Sequence, residues 1–500
     1  MEGLPPKPGT IYLAKAAPRK IDWKRIGALL LGIALFCLVY YSPSLPDGVT
    51  GAGDPLPLTH EGKAALAVFA LALTWWIFEV IPLGVTGVAI GVAQAFLLIR
   101  PAGSAFEQFM HPSVWFVFGS LVIGLAFNKT GLTKRAAYRM LTWAGERTRV
   151  VFLGCMVMTA ALTHVMAHTA VAASVFPLLR AIHSLYEEDS SRPSRFGKAL
   201  FISMAFTCGA ASIITLLGSA RGALALGIFH AFAGKEISFF RFSWYMFPLG
   251  WVMVLALWIF FIVFFPPERR VIPGLHERAK LLHSRLGPMS GAERMTVVVV
   301  AGMLALLLLQ SLVPALGAVN KSAVILVSTI LFFVLGILSV KDFQELPWNL
   351  VLFFGGAMSI GLCLHETGAA AWLAARYLSL LHGPAPFLLV MATALVVLLT
   401  INWMMNVAVI ALAIPVGLLA ASYGAATPEM MLFACLATAG MPFLLLYGSA
   451  PNVIAYGSGL FTQKEFLRVG VPASLLLMAV LALFVWKVWP AMGLSLLPAH

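Results

Sequence analysis

Apolar runs about one bilayer long alternate along the chain with short polar loops carrying Lys and Arg, and this alternation predicts a polytopic helical membrane protein. Runs at about residues 26–41, 64–78, 83–99 and 114–127 each fit one crossing, with an elbow at Glu79-Val-Ile-Pro82 between the second and third. The fourth ends in Lys129-Thr-Gly131, and an amphipathic segment with Lys134, Arg135, Arg139, Arg147 and Arg149 follows. Residues 150–179 are mostly apolar, too long for one crossing of ~20 residues, and interrupted by His164 and His168. Basic loops flank them on both sides, the second with Arg180, Arg192, Arg195 and Lys198, so both ends are expected on one face. The pattern reads as a re-entrant hairpin whose tip is Ala167-His168-Thr169. Residues 201–232 then cross with a break at Gly218-Ser-Ala-Arg-Gly222, and 244–264 return.

A polar stretch opening Pro-Pro-Glu-Arg-Arg divides the chain, after which the pattern restarts. Runs at about 297–312, 323–340 and 350–364 precede a second hairpin, 386–418, with its tip near Met405-Asn406-Val407. Residues 430–459 are broken at Gly448-Ser-Ala-Pro-Asn452, and 471–485 form the last run. The halves answer each other in order: Phe118-Gly119 and Lys129-Thr-Gly131 with Phe354-Gly355 and Glu366-Thr-Gly368, the hairpin from His168 to Pro177 with that from Asn406 to Pro415, and the two Gly-Ser-Ala breaks. Because one span precedes the first half and the divider is basic, the repeats are expected to be inverted. The expected organisation is a cytoplasmic segment at 1–25, a first span and outer loop at 26–61, repeat one at 62–265, a cytoplasmic linker at 266–294, repeat two at 295–490 and an outer tail at 491–500. The expected fold is all-α, with about eleven transmembrane helices plus two re-entrant hairpins.

Composition excludes other classes. With 61% hydrophobic and 11% charged residues and a mean hydropathy of +0.94, the chain is no water-soluble globule. Its formal charge of +13 sits in short loops, the pattern that orients membrane proteins, so we expect a multi-pass cell-membrane protein with its N-terminus cytoplasmic, its C-terminus outside and no nucleic-acid partner. No cleavable signal is evident. The five cysteines lie in apolar runs without a CxxC pair and read as core residues, so no redox or zinc chemistry and no cofactor are expected.

Candidate chemistry concentrates at the breaks. Non-helical backbone survives at membrane depth only when buried in protein or lining a cavity, and an ionisable group there marks a pathway or a partner. Arg221 lies in the first break with no acidic residue near it in sequence. Thr163, His168, Thr169, Ser219, Asn406, Ser449 and Asn452 are the other polar groups at the tips and breaks, and half-helix N-termini there add partial positive charge, a combination that favours a small anionic substrate. His164 and His168 at i and i+4 have the spacing of half a metal site, but no third and fourth ligands converge in the sequence and no metal is expected; His164 reads as a packed residue. His168 can donate to an anion or titrate near neutral pH, which makes it the candidate for proton coupling.

These residues resemble the divalent-anion/sodium symporter (DASS) family of dicarboxylate, citrate and sulfate transporters. The markers are Trp76-Ile-Phe-Glu-Val-Ile-Pro82, Phe353-Phe-Gly-Gly356, the two hairpins and Gly448-Ser-Ala-Pro-Asn-Val453, within a likeness running from about Ala64 to the C-terminus. The resemblance implies a homodimer with a scaffold domain and an elevator-like transport domain. It also implies tips of Ser-Asn-Thr that bind carboxylates through Asn and Thr, and breaks of Gly-Thr-Pro-Pro-Asn type that complete two sodium sites. Here the tips read Ala167-His168-Thr169 and Met405-Asn406-Val407, so both serines and one threonine are replaced. Arg221 stands where the family places a proline. Neither Ala nor Met offers a side-chain oxygen to a hard cation, whereas a guanidinium can neutralise a carboxylate or sulfonate directly; a contact of Arg221 with backbone carbonyls alone is the competing reading.

The expected activity is therefore sodium-independent anion exchange, with proton- or sodium-coupled symport as the alternative. A cation/proton antiporter or arsenite-type permease is the nearest different transporter, and no acidic pair in the core favours it. A receptor or intramembrane enzyme on the same fold is the different class; no HExxH, paired acidic residues within a span or G-x-S-x-G supports an enzyme.

Overall fold

In the computed structural model the described residues are 23–43, 45–49, 55–186, 194–381, 385–404, 406–423 and 426–497. Most of the N-terminal segment, Arg192, Met405 at the second tip and the end of the C-terminal tail lie outside them. Helices occupy the apolar runs: Trp23–Tyr41, His60–Ile77, Leu83–Phe96, Pro112–Thr130, Phe239–Phe264, Gly291–Leu309, Lys321–Val334, Trp348–Glu366 and Gln463–Leu483. Side-chain caps fix many of their starts, as where Thr59 accepts from the Gly62 amide at 2.9 Å and where Ser290 with Glu293 closes a capping box. Among the described residues seven helices are singly long and apolar enough to cross a membrane, and further apolar helices are shorter. Crossings split at a break require such short pieces.

The first hairpin comprises Thr148–Thr163 and His168–Tyr186, joined through residues 164–167; the second comprises Pro386–Thr400 and Asn406–Tyr423. The first broken helix comprises Arg195–Ala211 and Ala220–Ala233, and the second Pro428–Ala439 and Ala450–Tyr456. Each break lies upstream of its Gly-Ser-Ala signal. Unwound chain runs over 212–219 in the first half and 440–449 in the second, while Arg221 and Gly222 already belong to the first turn of the returning helix. The first tip shifts likewise, because His168 and Thr169 open a helix and the turn precedes them. The residues 212–217 look helical by composition, and tertiary hydrogen bonds such as Thr215 Oγ1 to His164 O, 2.8 Å, override that preference.

Glycine placement repeats between the halves. A methyl group on Gly218 would meet Thr163 O at 2.7 Å and Ser212 Cα at 3.0 Å; on Gly448 it would meet Pro442 Cβ at 2.7 Å and Ile401 O at 3.2 Å. Thr163 and Ile401 hold the same offset from His168 and Asn406, as do Ser212 and Pro442 from the two glycines, so both contacts are one contact used twice. The amphipathic helix Leu132–Ala144 also has a counterpart that sequence periodicity passes over, Ala369–Leu381. Each follows a left-handed glycine, Gly131 at φ 83° and Gly368 at φ 75°.

Burial separates the helices into two kinds. Arg195–Ala211 and Pro428–Ala439 are buried along almost their whole length, whereas Phe239–Phe264 exposes Val263, Phe264 and Ile259. Irregular backbone is thus wrapped in protein, as the lack of water in hydrocarbon demands. The linker is docked rather than loose. Thr148 N donates to Arg270 O at 3.0 Å and Ile272 N to Glu146 O at 2.9 Å, strapping it to the start of the first hairpin. Glu268 accepts from the Arg195 and Phe196 amides and from Tyr186 Oη. Ion pairs join the halves as well, Lys129 with Asp342, Lys198 with Glu465 at 2.5 Å, Arg100 with Glu366 and Lys321 with Glu236, and Arg135 joins the first half to Glu293 of the linker at 2.8 Å. Each pair has at least one partner partly or fully buried, Arg135–Glu293 both, and together they fix register between segments.

Candidate functional site

The two breaks and the two hairpin tips meet around Arg221. Its residue is 2% exposed, and its position in the first turn of Ala220–Ala233 aims the guanidinium across the interface between the halves. Nη2 donates to Ser212 Oγ in the unwound chain of the first half and to Gly440 O, 3.4 Å, at the head of the unwound chain of the second. Asn406 is oriented with Oδ1 accepting from Arg221 Nη1 at 2.7 Å and with its Nδ2 donating to Gly448 O at 2.6 Å. Among the described residues no carboxylate pairs with Arg221, and its Nε has no hydrogen-bond partner. The contacts therefore include two side chains as well as a carbonyl, and the reading of backbone carbonyls alone is corrected.

His168 mirrors Asn406. Its amide donates to Gly218 O at 3.0 Å, and its Nδ1 lies 3.1 Å from the same oxygen. A carbonyl only accepts, so Nδ1 carries the hydrogen there. Each tip thus delivers a donor to the glycine carbonyl of its own break. Ser219 and Ser449 precede the returning half-helices with nearly the same extended backbone, φ/ψ −159°/137° and −156°/144°, and neither hydroxyl caps its helix. By contrast Ser194 and Ser238, at ordinary starts, do cap. The first-turn amides of Ala220–Ala233 consequently face Arg221's surroundings with their partial positive charge.

Not every candidate converges. Thr163 is buried with its hydroxyl donating to Thr159 O at 2.7 Å inside its own helix, and Thr169 is exposed. Asn452 uses Nδ2 on Pro442 O, 2.8 Å, and Leu445 O, 3.1 Å, stapling the unwound chain instead of facing the guanidinium. His164 and His168 diverge, since His164 bonds Ala160 O at 2.5 Å and packs on Phe247 and Trp251. Ser212, Gly440 and Asn402 are missing from the set that the sequence singles out. Asn402 had a signal, because it precedes Asn406 by the interval at which His164 precedes His168.

Paired hairpins and broken helices that meet at buried polar groups define a helical membrane transporter. Two solved structures share the fold: the Alcanivorax borkumensis YdaH transporter, TM-score 0.56 at 12% identity over 95% of this chain and 98% of that one, and Neisseria gonorrhoeae MtrF, TM-score 0.55 at 15% identity over 96% and 98%. The chain belongs to the family described as the sodium:sulfate symporter transmembrane region, whose model it matches over residues 8–495. It is similar to the sodium-dependent dicarboxylate transporter SdcS of Staphylococcus saprophyticus, 24% identical over 88% of this chain and 89% of the relative. The corresponding protein of Staphylococcus aureus is 26% identical over 87% and 88%. It is accordingly a membrane transport protein and not an enzyme.

Proposed function

We propose that this chain is a secondary transporter that exchanges small anions across the membrane without sodium, by an elevator-like motion of the hairpins and broken helices within a homodimer. The carrying observation is Arg221, a buried cation at the meeting point of both halves with no carboxylate partner among the described residues. A di- or tricarboxylate, sulfate or sulfonate seated there would give the guanidinium a charged acceptor in place of the neutral oxygens of Ser212, Asn406 and Gly440, and the planar fork suits all of these groups. Dicarboxylates rank first because the staphylococcal relatives are named for them. His168 and Asn406 stand beside the guanidinium as polar groups that can turn toward the anion.

Sodium coupling is the second reading, favoured by the names of those relatives. Against it, two carbonyls of the breaks, Gly218 O and Gly448 O, already accept from His168 and Asn406 and are the less available to a cation. A hard cation needs about six oxygens, and a guanidinium a few ångströms away repels it. The substrate class is tested by a thermal-shift screen of carboxylates, sulfate and sulfonates on purified protein and on Arg221→Ala. A ligand that binds the folded state raises Tm by mass action, and the rise is expected only when Arg221 is present. Equal rises in both proteins would contradict the assignment.

A further inference from the structure

The unwound chain of the second half is held by a residue that lies outside the tip and break motifs. Asn402, in the turn of the second hairpin, is 1% exposed and hydrogen-bonded through both ends of its amide. Its Nδ2 donates to Leu398 O at 2.6 Å, closing the preceding helix, while Oδ1 accepts from Leu444 N at 2.9 Å and Leu445 N at 3.1 Å. From the other side Asn452 donates to Pro442 O and Leu445 O. One amide side chain thus serves the donors and the other the acceptors of the same buried stretch, where an unmade backbone hydrogen bond is costly.

The first half manages its break differently. His164, at the equivalent position, makes the same hook to a carbonyl one turn back, Ala160 O, but receives no amide from the unwound chain; Thr215 reaches its backbone oxygen instead. The second break is therefore pinned by a side chain and the first by a returning hydroxyl. The pinned stretch begins at Gly440, whose carbonyl accepts from Arg221, and Asn402 lies four residues before Asn406 in the chain, the other acceptor contributed by the second half.

We propose that Asn402 is a positioning residue for the anion site, setting the distance between the second unwound segment and the second tip so that both reach Arg221. The inference rests on the reading of Arg221 as the anion-binding group. Its test is the purified full-length chain in lipid vesicles with Asn402→Leu and Asn402→Asp, read by hydrogen–deuterium exchange over residues 440–449 and by KM and maximal rate of dicarboxylate counterflow. Leu fills the space without accepting, so the Leu444 and Leu445 amides should exchange faster and KM should rise about tenfold with a smaller change in rate. Asp keeps the acceptor toward the Leu444 and Leu445 amides while giving up the donor to Leu398 O, and should restore most of the protection at those amides and part of the affinity. Unchanged exchange in the Leu variant, or fast exchange with unchanged KM, would overturn the proposal. If the Leu variant cannot be purified, loss of protection in Asn402→Asp would overturn it equally. His164→Asn, which retains the hook, should leave KM as it is, and a tenfold rise there would contradict the asymmetry. Normal counterflow by Arg221→Ala would instead remove the Arg221 reading, and that outcome is separate from the exchange result.

Discussion

At the residue scale, a guanidinium buried where hydrocarbon surrounds the protein needs hydrogen-bond partners to stay there. Arg221 is buried and held by Ser212, Asn406 and Gly440 O, an arrangement that keeps it charged, oriented and without a counter-ion from the described side chains. Arg221→Ala should lower anion binding by a factor on the order of a hundred, equivalent to about 3 kcal/mol, while the protein remains monodisperse and helical; isothermal titration with the best ligand from the thermal screen measures it. Arg221→Lys should recover only part, because an ammonium cannot span Ser212 and Asn406 together. His168 carries a subtler expectation. Proton-coupled binding through its imidazole would make affinity increase as pH falls through about 6.5, with the effect lost in His168→Asn. With Nδ1–H already given to Gly218 O, a neutral ring satisfies the observed contact, and exchange predicts the same pH profile for wild type and His168→Asn once titration of the substrate is allowed for. A profile that flattens only in the variant would move proton symport ahead.

At the element scale, the breaks work because glycine lets two backbones touch. Gly218→Ala and Gly448→Ala each force a methyl group against a neighbour at 2.7 Å and should cost about 1–3 kcal/mol, seen as a lower Tm, whereas Gly302→Ala, with open space in the helix Gly291–Leu309, should be neutral or slightly stabilising. Equal Tm values for all three would remove the close-approach argument. The docked linker gives a second element-scale expectation. Burial pushes the Glu268 carboxyl up, but hydrogen bonds from the Arg195 and Phe196 amides and from Tyr186 outweigh it and hold the group below its usual range. A carboxyl depressed in the fold contributes stability above its unfolded range, near pH 4.3, and loses it as pH falls toward the folded value. Wild type should therefore lose more Tm than Glu268→Gln as pH falls from about 5 to 3, and parallel losses would exclude a role for this contact. Much of this level was legible beforehand. Apolar runs of bilayer length give the helices, and the repeated Gly-Ser-Ala signal gives the breaks because only a tight backbone approach requires it twice at the same offset. The turn of chain that unwinds was not legible, since residues 212–217 and 440–447 read as helix and are held out of the α-helix by Thr215 bonding to His164 O and by Asn402 and Asn452 bonding to the second segment. Ala369–Leu381 escaped for a related reason, as its apolar face is short and its counterpart Leu132–Ala144 carries a basic stripe that it lacks.

At the scale of the whole molecule, Arg221 is a fixed charge placed between the halves where two hairpins and two half-helices converge. Moving an unpaired buried cation through the low-dielectric interior is costly, and an anion that neutralises it lowers that cost. This difference favours movement of the loaded transporter over the empty one, which is the condition for exchange rather than uniport. Sodium dependence, the property in the names of the staphylococcal relatives, would instead have to draw on carbonyls such as Gly218 O and Gly448 O that already accept from His168 and Asn406. The direct measurement is uptake of labelled dicarboxylate by proteoliposomes in sodium or potassium buffer, each preloaded with unlabelled substrate or left empty. Equal uptake in the two salts, present only with internal substrate, is the predicted result; uptake that needs sodium, or that proceeds into empty vesicles at the preloaded rate, would contradict it.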